Sequence, residues 1–240
     1  MIRLTLLLVL CFGGVVGLKA IVLPWPRHFA LAVWFFACAL LVRRFGRSTT
    51  DSRLLETRRE VTWWSMPQST FGVTIVSLYA AISLVMFTLG DAHVQWQEKI
   101  TNLLADAVEL PQILLYAVAV PVYEETFFRG SLLFALLARR GDSTFGMFGA
   151  ASAAAIYMNG LVFWFFHAPT DLGLYGQSLS QGAVPIALGP FFLGLACALV
   201  ASRDRSIWCA IILHGLANTA GPLWEPALSG TGLFDVFYTR

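Results

Sequence analysis

The chain has 240 residues, of which 58% are apolar and only 12% charged, with a formal net charge of +2 and a mean hydropathy of +0.71. A soluble domain carries about a quarter charged residues, so the composition excludes an ordinary soluble globular protein. It predicts an all-α integral membrane protein, a polytopic bundle of transmembrane helices in contact with a lipid bilayer, and gives no sign of a nucleic-acid partner.

The N-terminal stretch MIRLTLLLVLCFGGVVGLKA couples Arg3 to an apolar run but lacks a small-residue cleavage site. Leu10 precedes Cys11 where a lipoprotein site would need a small side chain, so the stretch reads as a retained first span. A span needs about 20 predominantly apolar residues. On that basis seven segments qualify, at 4–23, 28–42, 71–90, 112–138, 145–167, 183–201 and 207–224. The first two are expected to form a hairpin through PWPRH, and residues 1–70 are this hairpin plus a basic cytoplasmic loop. That loop, RRFGRSTTDSRLLETRREVTWW, interleaves acids and bases, as an amphipathic surface helix or a solvated loop would. Residues 71–240 are the core, within one structural domain and without an internal repeat.

Basic residues orient the bundle. With the N-terminus inside, Arg3, Arg43, Arg44, Arg47, Arg53, Arg58, Arg59, Arg139, Arg140, Arg203 and Arg205 fall on the cytoplasmic side. Arg27, Lys99 and Arg240 fall outside, the bias of the positive-inside rule. The cysteines, Cys11, Cys38, Cys197 and Cys209, lie in apolar runs without a CxxC pair, so they are expected to be buried free thiols.

Ionisable groups inside a bilayer are costly and usually face a protein interior or a water cavity. Three clusters of polar residues fall inside the expected spans. In PVYEETFFRG, Glu125 and Arg129 stand at i and i+4 with the acid first, the favoured order for an ion pair. Glu124 points about 100° away around the helix and is left without a local partner. A buried structural ion pair would account for Glu125 and Arg129 but not for Glu124. In FWFFHAP, Phe163 and His167 share a face and Pro169 closes the segment; alone, this histidine reads as a hydrogen-bonded interface anchor. In LHGLANT, His214 and Asn218 share a face of the last span, and alone they read as helix–helix hydrogen-bonding groups. His28 and His93 fall in loops.

Together, EETFFRG, FWFFH and HGLAN, each on its own span and in this order, resemble the glutamic-type intramembrane proteases that include the CAAX prenyl endopeptidases and the bacteriocin-processing and immunity proteins. The resemblance covers residues 110–222. It implies an endopeptidase in which Glu124, assisted by His167, activates water, while His214 and Asn218 stabilise the oxyanion. Glu125, Arg129, Phe128 and Phe163 would support the site or hold substrate. No cofactor is expected. Two histidines and a glutamate are also the composition of a zinc triad, but no HExxH occurs, so metal-independent water activation is preferred, with zinc as the alternative.

The expected partner is a membrane-anchored protein or peptide. Glu124 and His214 fall near mid-span and His167 at the outward end, so the site should open to the extracytoplasmic leaflet. Prenylated CAAX proteins are presented from the cytosol, which does not match that orientation. A substrate with a transmembrane tail, cut near the outer face of a bacterial or archaeal cytoplasmic membrane during sorting or maturation of surface proteins, does. The competing classes are a non-catalytic immunity or scaffold protein of the same fold and an ion-coupled transporter, for which the missing internal repeat is unfavourable.

Overall fold

The computed structural model describes residues 2–21, 24–45, 64, 66–67, 69–89, 114–138, 150–171 and 189–228. Among the described residues every regular element is helical, in agreement with the all-α expectation. The helices are α1 (Ile2–Ile21), α2 (Pro24–Phe45), α3 (Phe71–Leu89), α4, α5 (Ala150–Asp171), α6 (Gly189–Asp204) and α7 (Trp208–Leu228). Helix α4 is a continuous rod in four pieces. A π-helical turn at Leu115–Ala119 leads into an α-helix at Val120–Phe127, a second π turn at Phe128–Leu133 and a closing α-helical turn at Phe134–Ala138.

Each expected span coincides with one of these helices. Among the described residues, however, no helix is long and apolar enough to cross a membrane. Most of the expected amphipathic stretch, His93 and residues 90–113, 139–149 and 172–188, including the expected starts of three spans, lie outside the described residues.

Several boundaries differ from the sequence expectation, among them two next to prolines. Helix α2 starts at Pro24, so Pro24 and Pro26 belong to its first turn and not to a separate hairpin turn. A first-turn N–H has no intrahelical acceptor, so proline loses nothing there. Helix α5 continues through Pro169 to Asp171, because a proline near the end of a helix removes a single bond of its final turn.

Helix α4 is the centre of the packing. It touches α2 on one side, α7 on another, and α5 and α6 through its second π turn. It contributes to two apolar clusters, Tyr123, Phe127 and Phe128 to one with α1, α2 and α5, and Leu133 and Leu137 to the other with α6 and α7. The first cluster is aromatic: the Phe35 ring stacks on Tyr123 at 5.4 Å, and Phe128 meets Phe163 edge-on at 4.9 Å. All four cysteines are buried and free, as their apolar surroundings predict.

The turn between α6 and α7 also holds α3. Arg205 adopts a φ of 52°, the left-handed conformation that stops a helix, and the Trp208 N–H donates to Ser206 Oγ at the start of α7. Asp204, fully buried, accepts from the Gly72 N–H and the Ser69 hydroxyl at the start of α3. This fixes α3 against α6 and α7 on the far side of the second cluster.

Candidate active site

The acids of α4 occupy different environments, as their angular separation requires. Glu125 and Arg129 are both fully buried, and Arg129 Nη1 donates to Glu125 Oε1 at 2.9 Å. Arg129 Nη2 donates to the Gly194 carbonyl of α6 at 2.8 Å. The guanidinium thus ties α4 to α6 and neutralises Glu125 in the same grip. Glu124 retains 12% side-chain exposure, and its Oε2 has no hydrogen-bond partner among the described residues.

The two motif histidines converge on that oxygen. His167 Nε2 of α5 lies 3.7 Å from Glu124 Oε2, and His214 Nε2 of α7 lies 3.9 Å from it. The opposite ring nitrogens fix the tautomers. His167 Nδ1 is 2.8 Å from the Phe163 carbonyl, which only accepts, so Nδ1 carries the proton. His214 Nδ1 is 2.8 Å from Glu125 Oε1, already an acceptor for Arg129, so it too is the donor. In each neutral ring Nε2 is therefore the unprotonated nitrogen facing Glu124. These separations are too long for direct hydrogen bonds, and each pairs acceptor with acceptor.

Phe163 holds this cluster together. Its ring centroid is 4.5 Å from the Arg129 guanidinium carbon, 4.4 Å from the His167 ring and 5.6 Å from the His214 ring. One aromatic ring therefore contacts the cation and both imidazoles. Close approach of α5 and α6 needs Gly194, where a Cβ would come within 3.1 Å of the Phe163 ring and 3.2 Å of Gly160. Phe128 packs edge-on against Phe163, and its ring centroid lies 5.7 Å from the guanidinium carbon.

Asn218 sits one turn beyond His214 on α7, exposed, and its Nδ2 donates to the Tyr116 carbonyl at 2.9 Å. The cause is Pro121. Proline has no N–H, so neither Ala117, its α-helical acceptor, nor Tyr116, its π-helical one, receives the bond it would otherwise get. Asn218 satisfies Tyr116, and Gly215 packs so tightly on Ala117 that a Cβ would lie 2.3 Å from the Ala117 oxygen. The first π turn of α4 is thus seated against the His214–Asn218 face of α7.

Sequence reasoning anticipated the Glu125–Arg129 pair. It did not anticipate that His214 donates to Glu125, nor that Gly194, Asn159 and Arg43 take part. Asn159 carried a legible signal: it stands at i, with Phe163 at i+4 and His167 at i+8, a lone amide in an apolar run. A backbone carbonyl such as that of Gly194 leaves no such mark.

Zinc ligands of the right type, two imidazole nitrogens and a carboxylate oxygen, do face one another. In a tetrahedral site with bonds of about 2.0–2.1 Å, ligand atoms lie closer together than the 3.7 and 3.9 Å seen here. Among the described residues no group of three or more His, Cys, Asp or Glu is placed to hold a metal ion.

Residues 106–220 match the family model described as type II CAAX prenyl endopeptidase Rce1-like. That range contains all of α4, α5 and α6 and the His214–Asn218 face of α7, and leaves out α1, α2 and α3. No curated protein and no solved structure gives a match. Over residues 106–220 the chain is therefore similar to the Rce1-like type II CAAX prenyl endopeptidases.

Proposed function

We propose that the protein is an intramembrane endopeptidase of the glutamic type that hydrolyses a peptide bond in a membrane-anchored protein. The observation that carries this reading is the convergence of Glu124 Oε2 with the Nε2 atoms of His167 and His214 from three separate helices, at 3.7 and 3.9 Å. Facing acceptors at that spacing suit a water that donates to both. Glu124 and His167, with side-chain exposures of 12% and 27%, form the more open side, with Glu124 Oε2 itself shielded from bulk solvent; Glu125, Arg129 and His214 are more deeply buried.

In the proposed step, water donates one proton to Glu124 and a hydrogen bond to His167 Nε2 as its oxygen attacks the peptide carbonyl carbon. The carbonyl electron pair moves onto oxygen. The second N–H of the Asn218 amide meets that oxyanion, and His214 joins it when its Nε2 has taken a proton from bulk water before the step, an imidazolium that Glu125 supports through Nδ1 and that keeps this proton throughout. Glu124 passes its proton to the amide nitrogen, the C–N bond breaks, and a free amine and a new carboxyl group leave. A positioned base contributes about 10²–10⁴-fold. No metal is assigned a role, so a tight chelator should leave the rate of the purified enzyme unchanged; loss of activity restored by zinc would contradict this.

The bilayer location rests on sequence and surface together. Helix α3 runs 19 residues without a charge and exposes Val73, Leu78, Ile82, Leu84 and Val85, as α1 exposes Leu6, Val9 and Leu10. Apolar surface on this scale fits lipid contact better than water. With the N-terminus inside, the reachable side of the site faces the extracytoplasmic leaflet, and the substrate is a protein whose transmembrane tail is cut near that face. A tag placed within residues 168–182 should be accessible from outside the cell; a cytoplasmic location would overturn the orientation. The activity itself is tested by co-expressing a candidate substrate with wild-type and Glu124→Gln protein. Cleavage should occur only with the wild type, whereas equal processing by both would favour a non-catalytic binder.

A further inference from the structure

Four residues past Glu124 the backbone of α4 enters its second π turn, Phe128–Leu133. A π turn pairs each N–H with the carbonyl five residues back instead of four, so the junction disturbs the carbonyl ladder. In an apolar interior a carbonyl left without a donor is costly, and here three alternate carbonyls take side-chain donors. Thr126 accepts from Ser131 Oγ of the same helix at 3.3 Å. Phe128 accepts from Asn159 Nδ2 of α5 at 2.8 Å, and Gly130 accepts from Arg43 Nη2 of α2 at 3.1 Å.

The last two carbonyls bracket Arg129. That residue makes the bonds to Glu125 Oε1 and Gly194 that lock the buried half of the site. Asn159 is fully buried, and Arg43 stands on a helix outside the residues that match the protease family. A buried amide and an arginine directed at backbone carbonyls of one turn, one on each side of the key cation, hold the backbone of that turn from two directions.

We propose that Asn159 and Arg43 are positioning residues of the active site. They hold the second π turn in the register that lets Arg129 reach Glu125 and Gly194 at once, and Glu125 in turn sets His214 Nε2 opposite Glu124. The helix pair α1–α2 is on this account part of the working enzyme through Arg43. The inference rests on the reading of Glu124 as the base.

The test uses the full-length protein in proteoliposomes, as wild type, Asn159→Leu, Arg43→Met and Arg43→Lys, with the ring nitrogens of histidine labelled with ¹⁵N. Asn159→Leu and Arg43→Met remove the donors while keeping bulk; Arg43→Lys keeps a donor. Per folded molecule, kcat should fall by about 100-fold in the first two with KM little changed, the loss expected for a misplaced reacting group. Arg43→Lys should recover most of it, and the His214 Nδ1 resonance should move in the two defective variants and return in Arg43→Lys. If Asn159→Leu fails to fold, the Arg43 pair decides. Unchanged kcat per folded molecule together with an unmoved His214 resonance would overturn the proposal. A wild type that cleaves nothing, with the resonance moving as described, would fault the proteolytic reading and leave the positioning intact.

Discussion

His214 Nδ1 lies 2.8 Å from Glu125 Oε1, the oxygen that Arg129 Nη1 also reaches at 2.9 Å. One oxygen of a fully buried carboxylate therefore connects α4 to α7 directly and to α6 through the guanidinium and Gly194. It also fixes which nitrogen of His214 faces Glu124. The adjacent acids differ in their contacts: Glu125 joins the helices, and Glu124 is the one that the proposed function assigns to act on water.

Replacing Glu125 by glutamine should therefore be felt first as lost stability. Breaking a buried pair leaves Arg129 as an uncompensated charge, which costs about 3–5 kcal/mol. Thermal unfolding in detergent should show Glu125→Gln strongly destabilised and Glu124→Gln close to wild type. Equal stability of all three would mean that the Glu125 pair does not hold the helices.

Gly215→Ala should disturb the site from the opposite side. The added methyl would meet the Ala117 oxygen at 2.3 Å, and this is rigid backbone, so α7 or the first π turn must move. Overpacking of this kind costs about 1–3 kcal/mol. Activity should fall more steeply than stability, because His214 precedes Gly215 directly on α7. A variant with wild-type turnover would show that the contact of α4 with α7 tolerates a shift.

Asn218 has two claims on its amide, the Tyr116 carbonyl at 2.9 Å and the oxyanion of the proposed reaction. If the second N–H meets the oxyanion, Asn218→Ala should lower kcat by about 100- to 1,000-fold with little change in KM. A variant with unaltered kcat but lower thermal stability would assign Asn218 solely to the carbonyl that Pro121 leaves without a donor.

Much of this was legible in the residues because the relevant periodicities are local. The placing of Glu125 one turn before Arg129, and of Glu124 on another face, follows from 3.6 residues per turn and survives into the structure. The helix positions followed from apolar runs bounded by polar loops. What was not legible depends on contacts between helices. That His214 donates to Glu125 requires the distance between α4 and α7, which close packing at Gly215 sets. The π turns arise where Pro121 removes a donor and where neighbouring helices offer Asn159 and Arg43, and no pattern along α4 alone marks the second of them. The helix limits at Pro24 and Pro169 were misjudged for a simpler reason: proline is tolerated in a first turn, and near a helix end it removes only one bond.

The most direct measurement compares turnover of a membrane-anchored substrate by purified wild-type and Glu124→Gln protein in proteoliposomes, with unfolding followed on the same samples. The account predicts a loss of at least about 100-fold in kcat for Glu124→Gln, with an unfolding midpoint close to that of the wild type. Turnover by Glu124→Gln within a few-fold of wild type would contradict it.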